Sequence, residues 1–170
     1  MADLPLTQAL LEDSFDRVRE LVSSLTQGLT DDVSTFRPDP EANTVAWLLW
    51  HLSRVQDDHV ADLAGVGQVW PIWRDRFELP FDEFETGYAQ GPAEVGQVRV
   101  SAELLEGYHA DVHLLTTQYL QTLTSAELER VVDERWDPPV KASARLVSVL
   151  GDCLQHLGQA AYVRGLAERR

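Results

Sequence analysis

The sequence predicts an all-α chain, a four-helix bundle with one long aromatic-rich connection between its second and third helices. Three observations carry this. Four segments repeat apolar residues at three- and four-residue spacings, as amphipathic helices require. Alternating strand-type patterning is scarce. At 170 residues with 44% apolar and 25% charged side chains, the chain has the size and composition of one domain, taken as residues 1–170, with one core.

The first helix is expected from about Leu6 to Leu29, with Leu10, Leu11, Phe15, Val18, Leu21, Val22 and Leu25 on its apolar stripe. The second follows the proline-bearing Arg37-Pro38-Asp39-Pro40. Asn43 or Thr44 caps it, Val45, Leu48, Leu49, Leu52 and Val55 carry it to about Leu63, and Gly65 and Gly67 end it. The third begins at Ser101 and carries Leu104, Leu105, Tyr108, Val112, Leu115, Tyr119 and Leu123. Thr124-Ser125-Ala126-Glu127 then has the spacing of a capping box and opens a short helical turn. The fourth starts near Ser143, beyond Pro138-Pro139, and carries Leu146, Val149, Leu150, Cys153, Leu157, Ala160 and Val163. In such a bundle each helix buries one stripe, and sites form between facing helices.

The connection from Gly65 to Val100 is too long for an ordinary loop and too aromatic for a solvated linker. Trp70, Trp73, Phe77, Phe81, Phe84 and Tyr88 suit either a hydrophobic plug across one end of the bundle or the wall of a substrate pocket, and a short helix is expected around Ala93 to Val98.

Charge and composition narrow the function. A formal charge of −14 repels nucleic-acid phosphates, so nucleic-acid binding is not expected. No apolar run is long enough for a membrane span, and Met1 leads into Asp3, Glu12 and Asp13 rather than a secretory leader, so the expected location is cytoplasmic. The single cysteine, Cys153, excludes an internal disulfide and a cysteine-rich zinc site. It points into an apolar stripe, where a thiol acts as a small hydrophobe. Neither a G-x-S-x-G elbow nor a phosphate-binding glycine loop is present.

Any metal must therefore rely on histidines and carboxylates. His51 lies at the edge of the second helix's apolar stripe, near Trp47 and Val55. Asp152 and His156, four residues apart on the fourth helix, share a polar strip with Arg145, Ser148 and Gln159. Imidazole and carboxylate groups at such a border suit a divalent ion; hydrogen-bonded core-edge residues would show the same spacing. His109 and His113 form the only H-x-x-x-H, but at about 75° and about 115° from the centre of the third helix's stripe they are expected on a solvated face. His59 falls near the middle of the second helix's apolar face and reads as a neutral core histidine, in reserve as a ligand.

The stretches Thr44-Val45-Ala46-Trp47-Leu48-Leu49-Trp50-His51-Leu52 and Asp152-Cys153-Leu154-Gln155-His156-Leu157-Gly158-Gln159-Ala160 resemble the DinB-like superfamily over nearly the whole chain. The resemblance implies a four-helix bundle holding a metal, zinc or a similar divalent ion, through one histidine of helix two and an H-x-x-x-H pair on the last helix. Carried over, the ligands are His51, Asp152 and His156, with Asp152 in place of the pair's first histidine. Arg164-Gly165-Leu166 is similar to the branch associated with mycothiol S-transfer, and the single lysine, asparagine and isoleucine suggest a GC-rich coding sequence, in keeping with hosts that use mycothiol. The implied activity is metal-dependent conjugation of a small thiol to small electrophiles, with Gln159, Arg164 and Trp47 binding substrate and a homodimer as the implied assembly. The alternatives are a non-catalytic metal- or ligand-binding bundle and a structural oligomer that uses the aromatic segment as an interface.

Overall fold

The computed structural model describes residues 4–170. Four long helices form the bundle: α1 (Leu4–Thr26), α3 (Val45–Ala64), α6 (Ala102–Gln121) and α8 (Ala142–Ala167). Short elements lie between them: α2 (Asp31–Ser34), α4 (Trp70–Phe77), α5 (Pro92–Val95) and α7 (Ser125–Glu129), with strands β1 (Val131–Asp133) and β2 (Val140–Lys141) in an antiparallel pair. Among the described residues no helix is long and apolar enough to cross a membrane.

Helix α3 is the central member, packed mainly on α8 and α6. Its first ten residues, Val45 to Arg54, are all buried, which a helix can sustain only with neighbours on every side. Thr44 is its N-cap, the hydroxyl accepting from the Trp47 N–H at 3.1 Å, and Gly65 closes it in the left-handed conformation. Helix α1 buries Phe15, Val18, Val22 and Leu25 of the expected stripe, but Leu10 and Leu21, also expected on it, are exposed, and the helix ends at Thr26, three residues before the expected Leu29.

The long connection divides into two parts, one a plug and the other the lining of a cavity. Trp70, Trp73 and Phe77, at helical spacing, form a plug: they are buried, and their rings meet the Tyr108 ring of α6 at 5.2–6.3 Å. Gly107 makes room, because a Cβ there would stand 2.5 Å from the Trp73 indole. Farther along, Thr86 to Gln90 line a cavity, while Phe84 and Tyr88 are exposed. The short helix expected near Ala93 to Val98 occupies Pro92–Val95.

Candidate metal centre and its cavity

The facing sides of α3 and α8 bound a cavity of about 680 Å³, closed by Thr86–Gln90 on one side and by Trp136, from the β1–β2 turn, on another. On α8, Arg145, Ser148, Asp152 and His156 recur at three- and four-residue intervals and so form one stripe along the cavity. His51 comes from α3, and one ligand atom from each of His51, Asp152 and His156 lies within 4.8 Å of the other two. The sequence distance between helices is closed by their packing.

Both imidazoles are oriented by backbone. His51 Nδ1 is 2.5 Å from the Thr86 carbonyl and His156 Nδ1 is 2.8 Å from the Asp152 carbonyl. A carbonyl only accepts, so each Nδ1 carries the proton and each Nε2 keeps its lone pair for a ligand. The His51 ring stacks on Trp47 at 4.6 Å, and the two imidazoles meet edge-on at 4.7 Å. Trp47 is itself fixed by an indole N–H donated to Gln90 Oε1 at 2.7 Å. Asp152 Oδ2 lies 3.3 Å from His156 Nδ1 without a hydrogen bond of its own, a buried acceptor left unspent because that proton goes to the backbone carbonyl.

Burial, opposed by the Thr86 carbonyl, lowers the His51 pKa, which favours the neutral form that a metal requires. Burial also acts against the His156 cation, but the Asp152 side chain and carbonyl outweigh it and the net shift is upward. Asp152 is penalised by burial and still lowered, chiefly by His156. The donor set, two lone-pair nitrogens and a carboxylate with an oxygen that makes no hydrogen bond, fits a divalent ion.

The other expected residues are dispersed. Trp47 lines the cavity, but Gln159 is exposed and outside it. Arg164 donates to the Ser24, Leu25 and Gln27 carbonyls and pairs with Glu168, so it closes the C-terminal end of α1 rather than meeting a substrate. His109 is a correction: it is 1% exposed, because α6 packs against α1 as well as α3 and its buried arc is wider than one stripe. His113, 13% exposed, faces Asp16 of α1 at 3.1 Å. His59 reverses in the other sense. Its side chain is 34% exposed on the cavity wall and accepts from Arg145 instead of sitting in the core. Cys153 is buried as expected, and burial pushes its thiol far up, so it is no nucleophile.

Sequence patterning also passes over a buried group beneath the cavity-lining loop. Arg54 and Asp57 of α3 are fully buried, and Arg54 Nε donates to the Glu85 carbonyl at 3.1 Å, one residue before the carbonyl that orients His51. An arginine and an aspartate three residues apart within an apolar stripe are the signal that would have revealed it.

A profile of the Mycothiol-S-transferase family matches residues 10–168. The chain is also similar to a solved structure, the crystal structure of a conserved protein from Enterococcus faecalis. That match has 32% identity and a TM-score of 0.88, and covers 95% of this chain and 97% of the other. No curated protein matches.

Proposed function

The chain belongs to the mycothiol S-transferase family, with the DinB-like bundle fold, and from that premise we propose that it conjugates a small thiol, mycothiol, to small electrophiles at a divalent metal held by His51, Asp152 and His156. The observation that carries this reading is the shared use of Nδ1: two imidazoles from different helices give that proton to carbonyls and keep Nε2 for a ligand beside an unspent carboxylate oxygen.

A divalent ion such as zinc supplies a positive charge that favours the thiolate over the thiol near neutral pH. The chain's own residues supply the rest. Thr86 and Asp152 fix the imidazoles through their carbonyls, and Trp47, Val55, Val140 and Trp136 give an apolar wall that partly excludes water from the thiol and electrophile. In the transfer, a sulfur–carbon bond forms as the bond from carbon to its leaving group breaks. The leaving group departs with the electron pair, and the thiol proton passes to solvent. With both reactants in one cavity, the encounter becomes effectively intramolecular.

Asp152 supports a second reading. A carboxylate where the family pattern has histidine makes the ligand set more anionic and a bound ion less Lewis-acidic, which suits a binding module. One experiment separates the two. Metal-loaded protein should consume mycothiol in the presence of a bimane electrophile, lose that rate to a chelator, regain it with added ion, and show no restored rate in His51→Ala. Activity that survives both chelation and His51→Ala overturns the mechanism. Tight metal binding without turnover across a panel of thiols and electrophiles selects the binding module.

A further inference from the structure

Arg145 is the one arginine or lysine among the described residues lining the cavity, and it is poorly partnered for a guanidinium. Its contacts are long: Nη1 to His59 Nδ1 at 3.3 Å and Nη2 to Asp133 Oδ2 at 3.4 Å. Charge-assisted bonds of this kind usually close to about 2.7–2.9 Å. Arg17, Arg130 and Arg135 do close on carboxylates, at 2.7, 2.7 and 2.8 Å, whereas Arg54 and Arg74 stand off at 3.4 and 3.3 Å as Arg145 does. Asp133 is committed elsewhere: it accepts from Arg135 through the backbone N–H at 3.0 Å, Nε at 2.9 Å and Nη2 at 2.8 Å. Its second arginine gets only the remainder. His59 offers no negative charge, since it accepts through a lone pair, and burial, then Arg145, lowers its pKa.

Arg145 therefore presents a charged planar fork, 22% exposed, to a cavity that Val140 and Trp136 also line. The helix sets its distance from the candidate metal centre. Arg145 stands seven residues before Asp152 on the same stripe of α8, a rise of about 10 Å at ~1.5 Å per residue. A substituted benzoate laid between them, with its carboxylate on the fork, would put its far ring carbons next to the metal-centre residues.

We propose that Arg145 is a carboxylate-binding subsite, and that the electrophiles this cavity prefers have an apolar or aromatic body with a carboxylate at the end remote from the reacting carbon. The substrate part of this inference rests on the S-transfer reading; the carboxylate contact does not. The chain's net charge of −14 does not oppose it, because fields beyond a Debye length of about 8 Å are screened at physiological salt while the fork acts at contact. Asp58, which also lines the cavity, lies 3.6 Å from His59 Nδ1 and accepts from Gln68 Nε2 at 2.7 Å.

The test compares two probes that differ only in charge. In chelator-treated protein, where a carboxylate cannot bind a metal, 3-nitrobenzoate should quench the fluorescence of the cavity tryptophans, Trp47 and Trp136, at least ten-fold more tightly than 3-nitrobenzamide. Arg145→Gln, which gives up only long contacts, should erase that difference while leaving metal uptake intact. Equal binding of acid and amide, or a preference that survives Arg145→Gln, overturns the proposal. Turnover of metal-loaded protein with mycothiol and either 4-chloro-3-nitrobenzoate or its amide separates this inference from its parent. Equal kcat/KM for both defeats the carboxylate preference and leaves S-transfer standing. No turnover of either, with Arg145-dependent binding of the acid, defeats S-transfer and leaves the subsite standing.

Discussion

Two polar clusters share helix α3 within two turns of each other, and the carboxylates they hold are bonded differently. Around Asp57 both carboxylate oxygens are engaged: Oδ1 accepts the Val69 backbone N–H at 2.9 Å, and Oδ2 accepts the Trp70 N–H and the Tyr108 hydroxyl at 2.8 Å each, with Arg54 Nη1 at 3.4 Å, although the second Arg54 amino group, Nη2, has no hydrogen-bond partner. Around His51 the bonding is deliberately partial, with one nitrogen of each imidazole fixed by a carbonyl and a carboxylate oxygen of Asp152 left without a hydrogen bond. Satisfied polar groups in a core specify structure, whereas convergent unspent donors bordering a cavity are available for a ligand. The clusters are also joined. Arg54 grips the Glu85 carbonyl, so the sealed cluster holds the loop that orients the open one.

The same change made in both clusters should have different consequences. Asp57→Asn leaves the Arg54 charge buried and uncompensated, and should cost about 3–5 kcal/mol of folding stability in urea unfolding. Asp152→Asn, at a half-buried position facing a cavity, should change stability by no more than about 1 kcal/mol. It should instead weaken metal binding at least about ten-fold, measured by competition with a chromogenic chelator. Similar stability losses from the two variants would mean that the open cluster is structural too.

Gly87 stands at the seam between the clusters. Its φ is +93°, and a Cβ there would stand 2.8 Å from His51 Nδ1 and 2.9 Å from the Trp50 ring. Gly87→Ala should therefore push the Thr86 carbonyl off the imidazole. The expected cost is about 1–2 kcal/mol of stability, from backbone strain and displaced packing. Metal affinity should fall about ten-fold with it, because His51 loses its orienting acceptor. Unchanged metal affinity in a stably folded Gly87→Ala protein would show that the Thr86 carbonyl does not set the imidazole.

What the sequence revealed follows the range of the interaction responsible. The four long helices were legible because their periodicity is local, and so was the Thr44 cap, whose hydroxyl bonds three residues ahead. Helix α4 was not, although Trp70, Trp73 and Phe77 have helical spacing. Its opening N–H groups are satisfied by Asp57, more than ten residues upstream, so no capping signal precedes it. At the candidate centre, Asp152 and His156 could be read as a pair on one face, whereas the convergence of His51 is tertiary. The Thr86 carbonyl leaves no trace at all, because a backbone acceptor has no side-chain identity. Arg164 misled in the opposite way: a charged residue near a family-like ending serves the end of α1.

A different kind of effect concerns His109, buried like His51 and holding an unpartnered Nε2, but belonging to no cluster of three ligand groups among the described residues. Burial, then His113 of the same helix and Arg19 of α1, lowers its pKa to about 3, and Asp16 across the interface engages His113 instead. The unfolded chain takes up this proton below about pH 6.5, while the native protein resists it down to about pH 3. Folding therefore keeps the full contribution of this neutral group above pH 6.5 and loses it progressively as the pH falls toward 3. Between pH 7 and 5 the loss from this one group comes to about 2 kcal/mol, and the figure is insensitive to the native pKa because pH 5 lies well above it. His109→Gln removes the titration, so its stability should fall about 2 kcal/mol less than wild type across that interval in matched urea titrations. The other histidines are common to both proteins and cancel in the difference. Parallel pH profiles for the two proteins would place the His109 imidazole in contact with water, and would return the H-x-x-x-H pair to the list of accessible ligands that the α1–α6 packing now excludes.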